Sequence, residues 1–530
     1  MDLSAYFPGF LPELVMVVGA CAVLLLGAPA RAAVPGDMSK QAPGMLAIIV
    51  TFTALIISLW LGHPASEAAC PPGLMASDLL YYVRIGGLGV GVILLFANLH
   101  LPVANERAEF FSMILFSLTG LLITAAANDL LVLFFAIELV SVPTYILVAL
   151  TREDKRASEA SVKYFFLGAM AAAIMVYGFS FLYGALGGTT TIAGSDSMTS
   201  AAASTNTNTA LIVAGLLLSF AGVFFKLAAV PFHSYVADVY EGASSTISGL
   251  LGFLPKFAGL VAAVKLLSIF AWDVPPQVLW VLWIVAAVTM TVGNTIALLQ
   301  RNVKRILAYS SVAHSGYMMI GLIVGPSLLA GAGPMRDGVS AMLFYMVIYG
   351  AMNLGAFAVL GTLAKSGESV EDIADIEGLH QRHPGLALAM ALCIFSLMGF
   401  PPTAGLLGKV YIFSSAFSVG ADHPFGGPLV VLAVIGVINS AIGAAYYLRI
   451  VAACYNRESR TETQVVGGPA LRLAVVVCSG LMLLLFIKPS LISRDAKSAA
   501  ATVVTKQVVT KNLARASVTP QVAEPDSATP

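Results

Sequence analysis

Residues 209–231 read TALIVAGLLLSFAGVFFKLAAVP, an apolar run that carries one charge, Lys226, and ends at Pro231. An apolar helix of about twenty residues is long enough to cross the hydrocarbon core of a bilayer. Because lipid offers no hydrogen-bond partners to the backbone, a run of this kind has to be helical. We therefore predict a membrane-spanning helix that is broken near its end, where proline removes a backbone donor.

The rest of the chain repeats this pattern. Its 530 residues are 58% hydrophobic and 11% charged, which is too little charge for the surface of a soluble protein of this size. We predict an all-α polytopic membrane protein with about fourteen transmembrane helices. The predicted spans lie near 10–29, 44–62, 82–100, 109–126, 129–150, 161–185, 209–230, 245–269, 276–299, 303–325, 338–364, 386–418, 428–453 and 469–488.

Charge and cysteine content exclude several classes of function. The 28 Lys and Arg residues balance the 28 Asp and Glu residues, so nothing indicates binding to nucleic acid. The cysteines are far apart in the sequence, and none lies in a CxxC pair or at a spacing typical of a metal or iron–sulfur site. They are Cys21, Cys70, Cys393, Cys454 and Cys478. We expect this chain to bind neither a metal nor a cofactor.

Two spans contain breakers, and these are five spans apart. The seventh is broken at Pro231 and the twelfth at Gly399–Gly405, GFPPTAG. This spacing predicts two five-helix repeats, which an odd number of crossings makes inverted, as in many transporters. The predicted divisions are three N-terminal helices in 1–108, repeat one (helices 4–8) in 109–270, repeat two (helices 9–13) in 271–455, helix 14 in 456–490 and a mobile polar tail in 491–530.

Lysine and arginine are concentrated in alternate loops, which sets the orientation. Residues 186–208, by contrast, hold neither. Basic loops mark the cytoplasmic side, so both termini are expected on the outer, periplasmic side. The first apolar run has no basic leader or cleavage pattern, which favours a retained helix in a bacterial inner membrane. The basic residues are Arg31, Lys40, Arg107, Arg152, Lys155, Arg156, Arg301, Lys304, Arg305, Lys365, Arg382, Arg457 and Arg460.

Four ionisable residues lie well inside apolar runs: Glu138, Lys226, Lys256 and Lys409. A charge at the bilayer centre costs at least about 2.5 kcal/mol, so each of them suggests a function. A desolvated lysine releases its proton readily and arginine does not, which suits these lysines to carrying protons. The competing interpretation of Glu138 and Lys226 is a static structural ion pair.

Four further residues are less decisive. His233, after the break in span 7, and His314, inside span 10, could relay protons, since imidazole titrates near neutral pH. A lone histidine is more often a satisfied packing residue, which is the competing interpretation of both. Lys163 and Lys265 lie nearer the ends of their spans, and we expect both to reach the membrane interface.

Five stretches resemble the antiporter-like membrane subunits of respiratory complex I and of multisubunit cation/proton antiporters. The resemblance extends over spans 4–13, and the second and third stretches are specific to that family. Lys409 in span 12, the number of spans and the lack of a long lateral helix favour complex I. The stretches are ELVSVPTYIL (138–147), FKLAAVPFHSYVADVYEG (225–242), GNTIALLQRNVKRILAYSSVAHSGY (293–317), EASVKYF (159–165) and FPPTAGLLGKVY (400–411).

The resemblance implies a role for each buried charge. Glu138 and Lys226 resemble the family's pump pair, Lys256 its central connecting lysine and Lys409 its terminal proton-exchange lysine. The chain departs from the family pattern at 235–237, which reads Tyr-Val-Ala in place of Trp-x-Pro, and at Ser244, where proline is usual. These changes affect the packing near the break and leave the charged set intact.

As a family member the chain would be a proton-translocating subunit of NADH:quinone oxidoreductase. It would have no redox centre of its own, while the whole complex uses NAD and quinone. Its partners would be the other membrane subunits of a hetero-oligomer of about fourteen subunits, together with membrane lipid. Three alternatives stay open from the residues: a subunit of a sodium/proton antiporter, a stand-alone secondary transporter and a structural spacer, the last of which the buried lysines disfavour.

Overall fold

The computed structural model describes most of the chain, and the fold is given for those residues only. They are 8–33, 37–64, 70–99, 107–150, 155–203, 208–326, 334–365, 368–419, 425–458 and 463–503.

Nearly all of the regular structure is helical. The helices are α1 Leu11–Ala33, α2 Asp37–Leu61, α3 Asp78–Asn98, α4 Arg107–Ala126, α5 Leu130–Leu150, α6 Lys155–Ala185, α7 Met198–Ala202, α8 Thr209–Leu227, α9 Val236–Gly242, α10 Ser245–Ser268, α11 Pro276–Leu299, α12 Val303–Val324, α13 Gly338–Gly361, α14 Leu379–Arg382, α15 Pro384–Met398, α16 Ala404–Phe417, α17 Gly426–Asn456, α18 Gly468–Ile487 and α19, 490–503. The strands are β1 Leu363–Lys365, β2 Glu368–Ser369 and β3 Thr463–Val465.

The predicted membrane architecture is confirmed. Within the described residues, 12 helices are long and apolar enough to cross a bilayer. Helix α1 adds a shorter apolar segment, and α15 and α16 together form one broken crossing, which gives the fourteen expected spans. The predicted break in span 7 also occurs, between α8 and α9.

Burial separates the central helices from those at the rim. The most apolar 18-residue stretches of α10 and α13 are completely buried. In α2 and α6, only 33% and 39% of the corresponding stretch is buried. Large apolar side chains on rim helices are correspondingly exposed, for example Trp60 and Leu299. Exposed apolar surface of this extent is unfavourable in water and is expected of helices that face lipid.

Packing between helices recurs in the two groups expected as repeats. Helix α4 packs on α5 as α11 packs on α12, and α6 packs on α8 as α13 packs on α16. The last member of each group closes it in the same way, since α10 contacts α4 and α5, and α17 contacts α11 and α12. The two groups meet where α10 packs on α13. Gly252 permits this close approach, because a Cβ there would lie 2.2 Å from the Asn353 amide nitrogen.

Charged residues collect at one end of the bundle. Beside a small antiparallel sheet of order β2-β1-β3, ion pairs join α6, α9, α12 and the segment after β2. The sequence analysis did not predict this sheet. The pairs are Lys163–Asp238 at 3.0 Å, Arg305–Glu241 at 2.5 Å, Lys304–Glu371 at 3.4 Å and Lys365–Asp375 at 3.0 Å. Two of the basic residues named in the sequence analysis, Arg152 and Arg460, lie outside the described part of the chain.

The prediction of a mobile tail over 491–530 is wrong for its first part. Residues 490–503 form helix α19, whose Ala496, Ala499 and Ala500 are completely buried. The Thr502 hydroxyl donates to the Asp78 carboxylate at 2.9 Å, which fixes α19 against the start of α3. Alanine has high helix propensity and little volume, so an Ala-rich segment can pack closely on the bundle. Residues 504–530 are not among those described.

Lys265 also differs from expectation. It lies in the last turn of α10 as predicted, yet it is 3% exposed and is enclosed by protein. Together with Asn128, Ile192 and Thr502 it lines a cavity of about 10 Å³, which is covered by α19. The sequence places Lys265 near a helix end, but the covering segment is distant in sequence and could not be foreseen from it.

Candidate functional site

The break after α8 places Lys226 inside the bundle. Lys226 is the last residue but one of α8 and is 3% exposed. Ala228 ends the helix in the left-handed conformation, with φ +56°, a strained backbone for a residue with a side chain. The Tyr235 hydroxyl then donates to the Phe225 carbonyl at 2.8 Å, so a side chain satisfies one of the carbonyls that the break leaves free.

Glu138 and Lys226 form the ion pair that the sequence suggested. Lys226 Nζ is 3.0 Å from Glu138 Oε1 and donates to Ser141 Oγ at 2.7 Å and to the Tyr145 hydroxyl at 3.4 Å. The Glu138 side chain is 20% exposed, against 3% for Lys226. The carboxylate therefore lies toward the outside of the bundle and the ammonium toward its interior.

Lys256 lies halfway along α10, as the twelfth of its 24 residues. Its Nζ donates to the Ser311 carbonyl at 2.5 Å and to Ser315 Oγ at 2.7 Å, both on α12. The Ser315 hydroxyl in turn donates to the carbonyl of Leu227, the neighbour of Lys226, at 2.6 Å. A single side chain thus bridges the broken end of α8 and the central lysine.

His314 lies in the middle of α12 with both ring nitrogens occupied. Nδ1 is 2.7 Å from the Tyr345 hydroxyl and Nε2 is 2.9 Å from the Tyr447 hydroxyl. The Tyr447 hydroxyl also bonds to Ser310 Oγ, one turn earlier on α12. Two hydroxyls and an imidazole form a continuous polar path in which each group can both donate and accept a proton.

Lys409 is held at the second break. From α16 its Nζ donates to the Met398 carbonyl at the end of α15, at 2.8 Å, and to Ser440 Oγ at 2.9 Å. Gly399 makes this approach possible, since it has φ +85° and a Cβ there would lie 2.9 Å from Lys409 Cδ. The ammonium also lies 5.2 Å from the centre of the Tyr317 ring, which adds a cation–π contact from α12.

Only one end of this row has a carboxylate. Lys226 is paired with Glu138, whereas in the described part of the chain no carboxylate pairs with Lys256 or Lys409. Neutral oxygens stabilise a lysine ammonium less than a carboxylate does, and burial disfavours the charged form of lysine. Helix α12 contacts both lysines, Lys256 through Ser311 and Ser315 and Lys409 through the Tyr317 ring, so it links one lysine to the other.

His233 lies apart from this row. It follows the α8 break, and among the described residues its Nδ1 is buried without a hydrogen-bond partner. The structure therefore brings Glu138, Lys226, Lys256, His314 and Lys409 together and leaves His233 outside. No described group of three or more His, Cys, Asp or Glu residues could hold a metal ion.

Several participants were not found from the sequence. Ser141, Ser311, Ser315 and Tyr447 are neutral, and serine and tyrosine are ordinary members of transmembrane helices. The one available signal was the proximity of Ser311 and Ser315 to His314 in the sequence, which could have suggested those two serines.

A second buried ion pair was also missed, outside both repeats. Arg84 on α3 donates to both carboxylate oxygens of Glu13 on α1, at 2.8 and 2.6 Å, and to the Gly9 carbonyl at 2.8 Å. Because a guanidinium stays protonated, this bidentate pair fixes α1 against α3 and does not carry protons.

Comparison with known proteins agrees with this geometry. Residues 127–443 match the family described as NADH:quinone oxidoreductase/Mrp antiporter, TM. The chain is 38% identical to NADH-quinone oxidoreductase subunit N of Trichlorobacter lovleyi, over 74% of this chain and 77% of that one. It is 33% identical to subunit N of Rhodospirillum rubrum, over 92% and 96%.

Solved structures show the same fold. A chain of respiratory complex I from Thermus thermophilus with bound aureothin superposes with a TM-score of 0.74 and 28% identity, covering 91% of this chain and 98% of that one. A chain of the Mrp complex from Dietzia has a TM-score of 0.77 at 19% identity, covers 96% and 100%, and shows a shared fold alone.

The fold and the row of buried charges define an antiporter-like membrane subunit, and the chain belongs to the NADH:quinone oxidoreductase/Mrp antiporter family. Within that family its curated relatives are subunit N of NADH-quinone oxidoreductase, so the resemblance to complex I expected from the sequence is confirmed.

Proposed function

We propose that this chain is a proton-translocating membrane subunit of NADH:quinone oxidoreductase, in which NADH oxidation and quinone reduction drive proton pumping. The observation that carries the proposal is the buried row from Glu138 through Lys226 and Lys256 to Lys409. Its relatives over more than nine-tenths of the chain are named subunit N, which favours this function over that of a sodium/proton antiporter subunit.

The setting follows from the same comparison. Other membrane subunits would be the direct partners, in a complex of about fourteen subunits in all. Other subunits of that complex would hold the groups that use NAD and quinone. The chain would have no redox centre. It would lie in a bacterial inner membrane with its charged end toward the cytoplasm, since basic residues mark that side, and with both termini on the periplasmic side.

The first step involves the Glu138–Lys226 pair. A carboxylate 3.0 Å away stabilises the Lys226 ammonium. When Glu138 takes up a proton or its ion pair opens, the ammonium keeps only the neutral Ser141 and Tyr145 oxygens as partners. Desolvation then favours release of its proton. The pair is therefore a switch that couples the charge of Glu138 to the proton on Lys226.

The proton then passes along α12. Ser315 lies between the Leu227 carbonyl and Lys256, and His314 with Tyr345 and Tyr447 continues the path through the second repeat toward Lys409. Lys256 acts as the connecting lysine and Lys409 as the exchange lysine at the far end. We assign His314 a relay role. His233 would join the path only if water linked its unpartnered Nδ1 to the row.

Substitution of Lys226 tests whether this residue carries protons. Lys226→Ala removes the charge and Lys226→Arg retains it, but a guanidinium does not release a proton. We expect the Arg variant to assemble and yet to lose NADH-driven proton uptake into membrane vesicles nearly as fully as the Ala variant. Lys163→Arg is the control, because Lys163 is an exposed lysine at the charged end that also pairs with carboxylates.

The outcomes separate a carrier from a structural ion pair. If Lys226 only balances Glu138, arginine will restore both assembly and pumping, and the proton-carrier assignment is then wrong. Purification adds a second test, since the chain should be recovered with other membrane subunits. Recovery as a stable chain that transports a solute alone in liposomes would instead favour a secondary transporter.

A further inference from the structure

A groove on the surface of the bundle plays no part in the proposed proton path. It lies between α15 and α18 and has a volume of about 620 Å³. Its walls are mainly apolar and include Leu388 and Val476, which are 55% and 66% exposed. Walls of this kind on rim helices are suited to hydrocarbon chains.

The mouth of the groove is cationic. Arg382, His383 and Arg472 line it, and none of the lining residues is a carboxylate. Both arginines are exposed, and neither forms an ion pair with any residue that the structure describes. Two other arginines at this end do have carboxylate partners, in the pairs Arg305–Glu241 and Arg457–Glu377. Two unpaired guanidinium groups at one mouth are complementary to an anion.

The helix ends add to this positive field. Helices α15 and α18 begin at Pro384 and Gly468, beside the arginines, and neither has a side-chain cap at its first turn. The helix dipole favours an anion at such a position. Both helices begin at the charged end of the bundle, where the phosphates of the cytoplasmic leaflet would lie.

We propose that this groove binds an anionic phospholipid, with its phosphate between Arg382 and Arg472 and its acyl chains against Leu388 and Val476. The cationic mouth favours an anionic headgroup over a zwitterionic one. The apolar length of the groove favours a lipid over a free inorganic anion. The bound lipid would seal α15, the first half of the second broken helix, against α18.

The test uses the assembled complex in nanodiscs of phosphatidylcholine that contain a trace of photoactivatable phosphatidylglycerol. We expect cross-links to α15 and α18, located by mass spectrometry, and few from a phosphatidylcholine probe with the same chains. The double variant Arg382→Gln, Arg472→Gln should lower labelling about thirtyfold, as expected for two arginines beside a lipid phosphate. A matched control, Lys155→Gln with Arg301→Gln, removes two exposed charges from the same end and should label like wild type.

A second variant tests the groove without changing its charge. Gly480 lines the groove, and a Cβ at this position meets open space, so Gly480→Leu should fit the fold while filling the lipid site. It should abolish labelling, whereas Gly427→Leu, at another open position on a rim helix, should not. Wild-type labelling of either groove variant would overturn the proposal, as would equal labelling by the phosphatidylcholine probe. Loss of a neighbouring subunit from the Gly480→Leu complex would also overturn it, by showing that a protein occupies the groove.

Discussion

Replacing Lys256 by methionine separates proton transfer from packing. Lys256 is 2% exposed, and among the described residues its hydrogen-bond partners are the Ser311 carbonyl and the Ser315 hydroxyl. Methionine has a similar apolar stem and adapts to irregular space, but it carries no proton. Its introduction leaves no polar group unsatisfied, since Ser315 still donates to the Leu227 carbonyl. Removing a buried ionic group in favour of a well-packed apolar one is often neutral or stabilising, by about 1–4 kcal/mol.

Arginine at the same position should have the opposite effect on stability. A guanidinium has five N–H donors, and this site offers two acceptors, so about three donors would be left without partners. At about 1–3 kcal/mol for each, Lys256→Arg should cost at least about 3 kcal/mol. We therefore expect Lys256→Met to assemble at least as well as wild type and Lys256→Arg to assemble poorly.

The assay is NADH-driven proton uptake into membrane vesicles, followed with a pH-sensitive dye and normalised to the assembled complex on native gels. Lys256→Met should assemble fully, and its proton uptake should fall to a small fraction of wild type. Lys163→Met is the control, because Lys163 lies at the exposed charged end and should tolerate the change. Wild-type proton uptake by assembled Lys256→Met complexes would refute the assignment of Lys256 as a connecting carrier.

Three further predictions concern the framework. Gly399→Ala forces a Cβ into a crowded left-handed position and should destabilise the complex by about 1–2 kcal/mol in thermal unfolding, and unchanged stability would refute the tight second break. Arg84→Met leaves Glu13 buried without its partner and should lower the stability of the assembled complex by about 3–5 kcal/mol. The double variant Glu13→Leu, Arg84→Met should recover most of that stability. Cysteines at Lys155 and Ser195 should react with impermeant reagents from the cytoplasmic and periplasmic sides respectively, and labelling of both from one side would refute the orientation.

The sequence was sufficient to predict the helices and the breaks because each depends on local chemistry. Apolar runs of fixed length define the spans, and proline together with glycine defines the breaks after α8 and α15. The buried charges were also recognisable, since a lysine inside an apolar run is costly wherever it lies. Glu138 and Lys226, 88 positions apart, could be paired because both are charges inside apolar runs and both resemble the family's pump pair.

The neutral part of the row could not be predicted. The roles of Ser315 and Tyr447 depend on where α12 lies relative to α10 and α17, which is a property of packing and not of composition. Helix α19 and the burial of Lys265 have the same explanation. The composition of a polar, Ala-rich terminal segment predicts disorder. Only the folded structure shows the surface on which its small side chains are buried.

The two repeats place different residues at corresponding positions, and in the proposed proton path this difference makes the row directional. Glu138 is the ninth residue of α5, and the ninth residue of α12, the corresponding helix, is Ser311. The first repeat therefore places a carboxylate where the second places a neutral residue, whose carbonyl accepts from Lys256. A row of lysines without anions would repel additional protons equally at every position. In the proposed mechanism, which has one anion at one end, a change in the charge of Glu138 alters the stability of the proton on Lys226 first, and the effect then spreads through Lys256 toward Lys409. The asymmetry between the repeats thus gives the path a defined starting point.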